Sequence, residues 1–342
     1  MARSLHLQLM ALEELLAKSS GGFAQVLGVS MFGADAVPGL LREHSVPAAL
    51  VRAAVVGADG TDGVVCEVWS SEQAVRSGRT EQARWRATDS VMFVSVDVDP
   101  RLPIEEAAES AYRALFDTVE AEGHPHLLRV WNHVADINGD ADGLERYRRF
   151  NIGRQQAFVE RRRQVVGSGV PAASAVGARA DAPLVVFALA ARQAPRGIEN
   201  PRQISAYHYP AAYGPRAPTF SRANLFGDDD PVLFVSGTAS IVGHQTQHPG
   251  DVREQTRETL RNIAALVEVA CSAHGVKLEL GDLQFKAYLR DAADRAVVHE
   301  ELAQAVGSSP DVLFVQADIC RRDLLVEIEA VAWSERERAW LR

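Results

Sequence analysis

One carboxylate set in an apolar run is the most chemically suggestive feature of this 342-residue chain. The segment Leu313 to Trp333, LFVQADICRRDLLVEIEAVAW, holds two apolar runs on either side of Cys320, Arg321, Arg322 and Asp323. It reads as two strands joined by a short polar connection. In the second run, period-2 alternation puts Leu324, Val326, Ile328 and Ala330 on one face and Leu325, Glu327, Glu329 and Val331 on the other. A carboxyl at Glu327 among apolar neighbours loses hydration, which raises its pKa and favours the protonated form that a general acid needs. On a solvated antiparallel face the same residue would be ordinary. The weight therefore rests on what else converges there.

Three other stretches carry groups that could meet an anionic ligand. Residues 143–165, GLERYRRFNIGRQQAFVERRRQV, read as a helix whose inward stripe is Leu144, Tyr147, Phe150 or Asn151, Arg154 and Phe158. Arg154 thus falls among aromatics on the buried side, where it needs a partner: a ligand carboxylate, or an acid from elsewhere in the chain. Arg146, Arg148 and Arg149 fall on the solvated side. The strand LQFKAYLRD places Gln284, Lys286, Tyr288 and Arg290 on one face, an anion-binding wall or a plain solvated surface. Residues 201–222 are rich in Tyr, Arg and Pro, with Tyr207, Tyr213 and Arg216 as candidate ligand contacts, because long irregular segments in a compact chain tend to be functional. Gln316, closing the first apolar run, joins this set.

The elements that must position these groups alternate between strand and helix. The spacing predicts a helix over 5–18, strands at ALVRAAVVG, GVVCEVW and VMFVSVDVD, a helix over 104–122 and a strand at HLLRVWNHVADI. Residues 166–183, rich in Gly, Ala and Pro, read as a linker or mobile loop. Beyond it come strands at LVVFALAAR and PVLFVSGTASIVGH, a helix over 251–271 opened by Asp251 and Glu254 in capping-box spacing, and a helix over 292–306. The small residues Gly237, Thr238, Ala239 and Ser240 would let a ligand approach the backbone, though GTASIVGH fits neither a Walker nor a dinucleotide loop. The expectation is an α+β fold of two similar halves, mixed sheets with helices packed on one face. Its boundaries fall at 1–45 for a helical or irregular extension, 46–165 for the first half and 184–342 for the second.

A net charge of −9 argues against nucleic-acid and anionic-membrane partners, so an anionic substrate must be held by a local arginine cluster. The cysteines, Cys66, Cys271 and Cys320, are too scattered for a disulfide framework or a CxxC metal site. A reducing compartment follows. Glu13 and Glu14 interrupt any signal-peptide core, and no stretch is long and apolar enough to span a membrane, so a cytoplasmic protein is expected.

SGTASIVGH, TLRNIAALV, FKAYLRD and VQADICRRDLLVEIEAVA together resemble the RidA/YjgF architecture, although position 312, where that family's usual arginine is expected, is Val312. With RVWNHVADINGD, ERYRRFNIGRQQAF, IENPRQISAYHYPAAYGPRAPTFSRA and ICRRDLLVEIE added, residues 90–335 resemble the chorismatases. That resemblance implies two RidA-like halves that remove pyruvate from chorismate without metal or organic cofactor. It implies that Glu327 protonates the enolpyruvyl methylene carbon. Independently of the resemblance, a dicarboxylate on an acidic protein needs buried or semi-buried guanidinium groups, for which Arg154 and the Arg216 region, with Arg290 opposite, are the candidates. Tyrosines such as Tyr207 and Tyr213 either orient the ligand or pack. Aromatising members resemble this chain in having a Cys near the final strand, here Cys320, which favours 3-hydroxybenzoate, with or without 4-hydroxybenzoate. The size of residue 239, here Ala239, could instead admit water and give the dihydrodiol acid. A non-catalytic carboxylate-binding protein is the alternative of another class. Monomer, dimer and trimer all fit, since RidA-like units gather around threefold axes.

Overall fold

The computed structural model describes residues 5–18, 20–57, 63–307 and 309–333; positions 1–4 and 334–342, assigned above to the first and last segments, lie outside the described residues. Strand β1 (His6–Ala11) comes first, where the leucine spacing predicts helix, and only α1 (Leu12–Leu16) is helical there. The reason is tertiary: β1 pairs along its whole length with a later strand, and that pairing overrides a short local pattern. β2 (Val26–Phe32), α2 (Gly39–Glu43), β3 (Ala48–Val51) and β4 (Val65–Ser70) complete a four-stranded sheet of order β1-β4-β2-β3. The first 45 residues thus contribute two strands, β1 and β2, to this sheet.

The next sheet is built from β5 (Arg76–Arg79), β6 (Ala83–Ala87), β7 (Val91–Val96), α3 (Ile104–Ala121) and β8 (His126–Ala135). A small hairpin, β9 (Asp140–Ala141) with β10 (Leu144–Glu145), leads to α4 (Arg146–Glu160), β11 (Ala172–Ala178) and β12 (Val185–Ala191). A third sheet follows, from β13 (Arg196–Ile198), β14 (Ala223–Phe226), β15 (Val232–Ala239), the hairpin β16 (Ile241–Val242) with β17 (Gln245–Thr246), and α5 (Val252–His274). It is completed by β18 (Leu283–Leu289), α6 (Arg295–Val306), β19 (Val312–Gln316) and β20 (Val326–Trp333).

The two six-stranded sheets have orders β11-β8-β12-β7-β6-β5 and β19-β18-β20-β15-β14-β13, which are the same topology strand for strand. In each, one pair is parallel (β8 with β11, β18 with β19) and the other pairs are antiparallel. Duplication, invisible in residue identity, is plain in connectivity. It also moves the boundary. The Gly/Ala/Pro-rich stretch holds strand β11, and LVVFALAAR, which the sequence order assigns to the second half, is β12 of the first. Small side chains mark β11 because it lies where the two sheets meet: Ala173 N donates to Ser236 Oγ at 2.9 Å and Ser221 N to the Pro171 carbonyl at 2.9 Å.

Helices α3 and α4 cover one face of the first six-stranded sheet, and α5 and α6 one face of the second. Asp251 caps α5 by accepting from Glu254 N, a contact worth about 1 kcal/mol. The opposite faces of both sheets, with one face of the four-stranded sheet, enclose a shared aromatic core that includes Trp69, Phe93, Trp131, Phe187, Phe234 and Trp333.

Candidate active site

On β20, Val326, Ile328, Ala330 and Ala332 pack under α5, as the alternation requires. Glu327 and Glu329 face the other way, into the space between the six-stranded sheets, and both are buried. Glu327 lies opposite Ala239 on β15 and Tyr288 on β18. Pairing of β15 with β20 is irregular between Val235 and Thr238, and the residues there are Ser236 and Gly237. A Cβ on Gly237 would stand 2.0 Å from Glu327 Oε1 and 3.0 Å from Ser174 Cβ, so only glycine leaves room for this carboxyl. Burial, reinforced by the Glu329 charge, pushes Glu327 up to about 8, against the pull of Arg129 and Arg222.

Glu329 has the opposite fate. Burial opposes its charge, but Lys286 and Arg129 outweigh that and hold it at about 2. Its carboxylate accepts from Arg129 Nη2 at 2.7 Å, Trp131 Nε1 at 2.8 Å and Ser174 Oγ at 2.8 Å, and pairs with Lys286 Nζ at 2.8 Å. Lys286 is shared with Glu67 of β4, at 2.8 and 2.9 Å.

Glu327 closes a cavity of about 850 Å³. Around it stand β11 (Ala173, Ser174 and Ala175), β15 (Gly237 and Ala239), α4 (Tyr147, Arg148 and Arg154), the segment 209–222 and the Cys320–Asp323 turn. Arg154 is held where α4 crosses α3 closely, since a Cβ on Gly153 would fall 1.9 Å from the Glu105 carbonyl oxygen. Its guanidinium lies over Tyr112, Phe150 and Phe158, donates to the Thr219 carbonyl, and pairs with no carboxylate among the described residues. Arg222 donates to the Ile204 carbonyl and to Tyr209 Oη, at 2.7 and 2.8 Å. Arg321 rests 4.1 Å over the Tyr213 ring and donates to the His244 carbonyl at 2.8 Å. Each of the three retains a nitrogen without a hydrogen-bond partner among the described residues. Such a wall suits carboxylates, for which guanidinium is the matching donor. The Cys320 thiol stands 4.0 Å from Glu327 Oε2, and burial pushes it up to about 12, so it stays protonated. Burial also raises the Tyr147 hydroxyl above its ordinary range.

Of the residues read from sequence, Glu327, Cys320, Arg154, Tyr213 and Ala239 meet at this cavity. The others do not line it. Tyr207 packs on His208, and Arg216 is exposed. Lys286 and Tyr288 do face inward from β18, but Lys286 is consumed by Glu67 and Glu329, and Tyr288 is enclosed in the aromatic core. Arg290 is a strut, bound to Asp318, the Leu324 and Arg321 carbonyls and Asn138. Gln316 is exposed at the end of β19. Strands β19 and β20 do not pair, because β18 lies between them. Four further residues line the cavity without a sequence signal of their own: Arg148, which helical spacing assigns to the solvated side, Ser174 in the apparent linker, and Tyr209 and Arg222 within the Tyr/Arg-rich segment that the sequence does single out.

Fold and site together define an α+β protein of two halves of the same topology with an acid facing an arginine-lined cavity. A family model described as "Chorismatase FkbO/Hyg5-like, N-terminal" matches residues 67–190, and one described as "Endoribonuclease L-PSP" matches residues 217–334. The chain is 38% identical over 287 residues to a chorismatase of Streptomyces hygroscopicus, covering 82% of this chain and 83% of that one. It is 37% identical over 276 residues to a 3-hydroxybenzoate synthase of the same organism, covering 78% and 80%. A solved chorismatase structure superposes with a TM-score of 0.86 at 32% identity, over 97% of this chain and 99% of that one. The chain belongs to the chorismatase family.

Proposed function

We propose that the cavity binds chorismate and that Glu327 donates its proton to the methylene carbon of the enolpyruvyl group, so that pyruvate is released and 3-hydroxybenzoate remains. One observation carries this reading: an acid kept protonated near neutrality stands in a cavity whose wall supplies Arg154, Arg222 and Arg321. Chorismate is a dicarboxylate, and semi-buried guanidinium groups bind carboxylates strongly and directionally. The cavity, at about 850 Å³, is of the size that holds such a ligand.

Protonating carbon needs an acid that is neutral at working pH, and the apolar setting of Glu327 provides it. As the proton leaves, positive charge develops on the ether carbon and negative charge on Glu327, a pairing that stabilises the cation in a low-dielectric site. Capture of the cation by an oxygen nucleophile and cleavage of its bond to the ring oxygen then release the pyruvate skeleton. With water as nucleophile the ring leaves as the dihydrodiol acid. In the aromatising course the nucleophile is the neighbouring hydroxyl of the ring itself: its oxygen bonds to the cationic carbon, its bond to the ring then breaks as the adjacent ring C–H gives up its proton, and that oxygen leaves with pyruvate. The two products together have the composition of chorismate, so this course consumes no water. Likeness to a 3-hydroxybenzoate synthase over most of the chain, and the Cys320 thiol beside the acid, favour that course.

The test is incubation of pure protein with chorismate, following pyruvate by a coupled assay and the ring product by chromatography against standards. Pyruvate with 3-hydroxybenzoate supports the proposal. Pyruvate with a non-aromatic diol acid retains the acid and refutes the product. Saturable binding with no pyruvate refutes the enzyme.

A further inference from the structure

Glu329 lies two residues from Glu327 on the same strand face, about 6.5 Å along the backbone. We propose that Glu329 is a positioning residue: a fixed anion, clamped by Arg129 and Lys286 and tied through Lys286 to Glu67 in the four-stranded sheet, that holds the proton on Glu327 until substrate arrives. The inference rests on Glu327 being the acid.

The clamp spans all three sheets. Ser30 of β2 donates to Glu67 Oε2 at 2.6 Å, and Glu67 grips Lys286 of β18 with both carboxylate oxygens. Arg129 and Trp131 come from β8, and Ser174, which also accepts from Arg129 Nη2 at 2.9 Å, from β11. All of these side chains are buried. Two cations and two anions balance, so the assembly brings no net charge; it fixes where each charge stands. Stability alone does not account for it, because a buried ion network is often no better than apolar packing of the same volume. A carboxylate fixed beside a second carboxyl, in a site with little water, keeps that second group from ionising.

The groups facing Glu327 are few. Tyr147 comes from α4, Arg222 from the segment before β14, Cys320 from the turn before β20, Tyr288 from β18 and Arg129 from β8. Gly237, Ala239 and Ser174 bring no charge. Arg129 and Arg222 draw Glu327 toward ionisation, and Glu329 is the anion that opposes them.

The experiment is the pH profile of kcat/KM for pyruvate release, with a melting temperature, for the unaltered chain and for Glu329→Gln, Glu67→Gln and Glu327→Gln. Glu329→Gln leaves Arg129 facing the acid without its anion, while Lys286 keeps only Glu67. The alkaline limb is expected to fall by about one pH unit or more, with the rate lost at pH 8 returning at pH 6. Glu67→Gln, away from the cavity, is expected to move the limb in the same direction by less. A purely structural role lowers the rate evenly across pH. Folded Glu329→Gln with an unmoved limb overturns the proposal, and should that variant not fold, an unmoved limb in Glu67→Gln does so. Undiminished pyruvate release by Glu327→Gln removes the acid itself, an outcome distinct from an unmoved limb with Glu327→Gln inactive.

Discussion

Glu327 and Glu329 share one face of β20, yet the fold drives their carboxyls apart, to about 8 and about 2. The difference lies in their partners. Glu329 is met by a guanidinium, an ammonium, an indole N–H and a hydroxyl, whereas Glu327 has a thiol at 4.0 Å and feels Arg129 and Arg222 only through their charge. Two like groups tuned in opposite directions is the pattern by which an acid and a fixed anion are told apart.

Replacing Glu327 by Gln keeps the shape and removes the proton donor. Pyruvate release should fall by about 10²-fold or more, the scale of general-acid contributions. Chorismate binding, measured by calorimetry, should be nearly unchanged. In the unaltered chain kcat/KM should be level below the Glu327 pKa and decline as pH rises through about 8, because the active form is the protonated one.

Gly237→Ala places a methyl carbon 2.0 Å from where Glu327 Oε1 now stands. The carboxyl must turn aside. The expected loss in kcat is about 10²-fold, as for an ångström-scale misplacement. The stability cost, read from urea melts, should be only about 1–3 kcal/mol, typical of overpacking. Full activity in this variant would show that the carboxyl position is not critical.

Arg154→Ala and Arg222→Ala each remove a buried guanidinium from the cavity wall. Each should weaken chorismate binding by about 2–5 kcal/mol, with KM rising more than kcat falls. A folded variant with unchanged KM would make that arginine a packing residue.

His133 gives the protein an acid weakness. Its ring stacks on Phe187, neither nitrogen has a hydrogen-bond partner among the described residues, and burial, then Lys286, lowers its pKa to about 3. The unfolded chain takes up that proton near 6.5, so the stability associated with neutral His133 is present above pH 6.5 and lost as pH falls toward 3. Between pH 6.5 and 4.5 the loss should be about 2–3 kcal/mol. His133→Phe should reduce that slope in urea melts at pH 7 and pH 5, and parallel slopes would count against a neutral buried ring.

The amino-acid sequence by itself determined the local periodicities. Alternation in VEIEAVAW assigned the faces of β20, helical spacing put Arg154 among aromatics, and Asp251 with Glu254 marked the start of α5. These are short-range consequences of strand and helix geometry, so they can be read from neighbours in the chain. Long-range pairing is not written that way. Residues 5–11 look helical until β4 is available to pair with, and Gly/Ala-rich β11 looks like a linker until two sheets must approach closely across it. Lys286 looks like an anion-binding residue until Glu67, 219 positions away, claims it. Only the tertiary structure brings Glu67, Arg129, Lys286 and Glu329 into one buried cluster, and only there does a low dielectric make their charges decide which carboxyl keeps its proton.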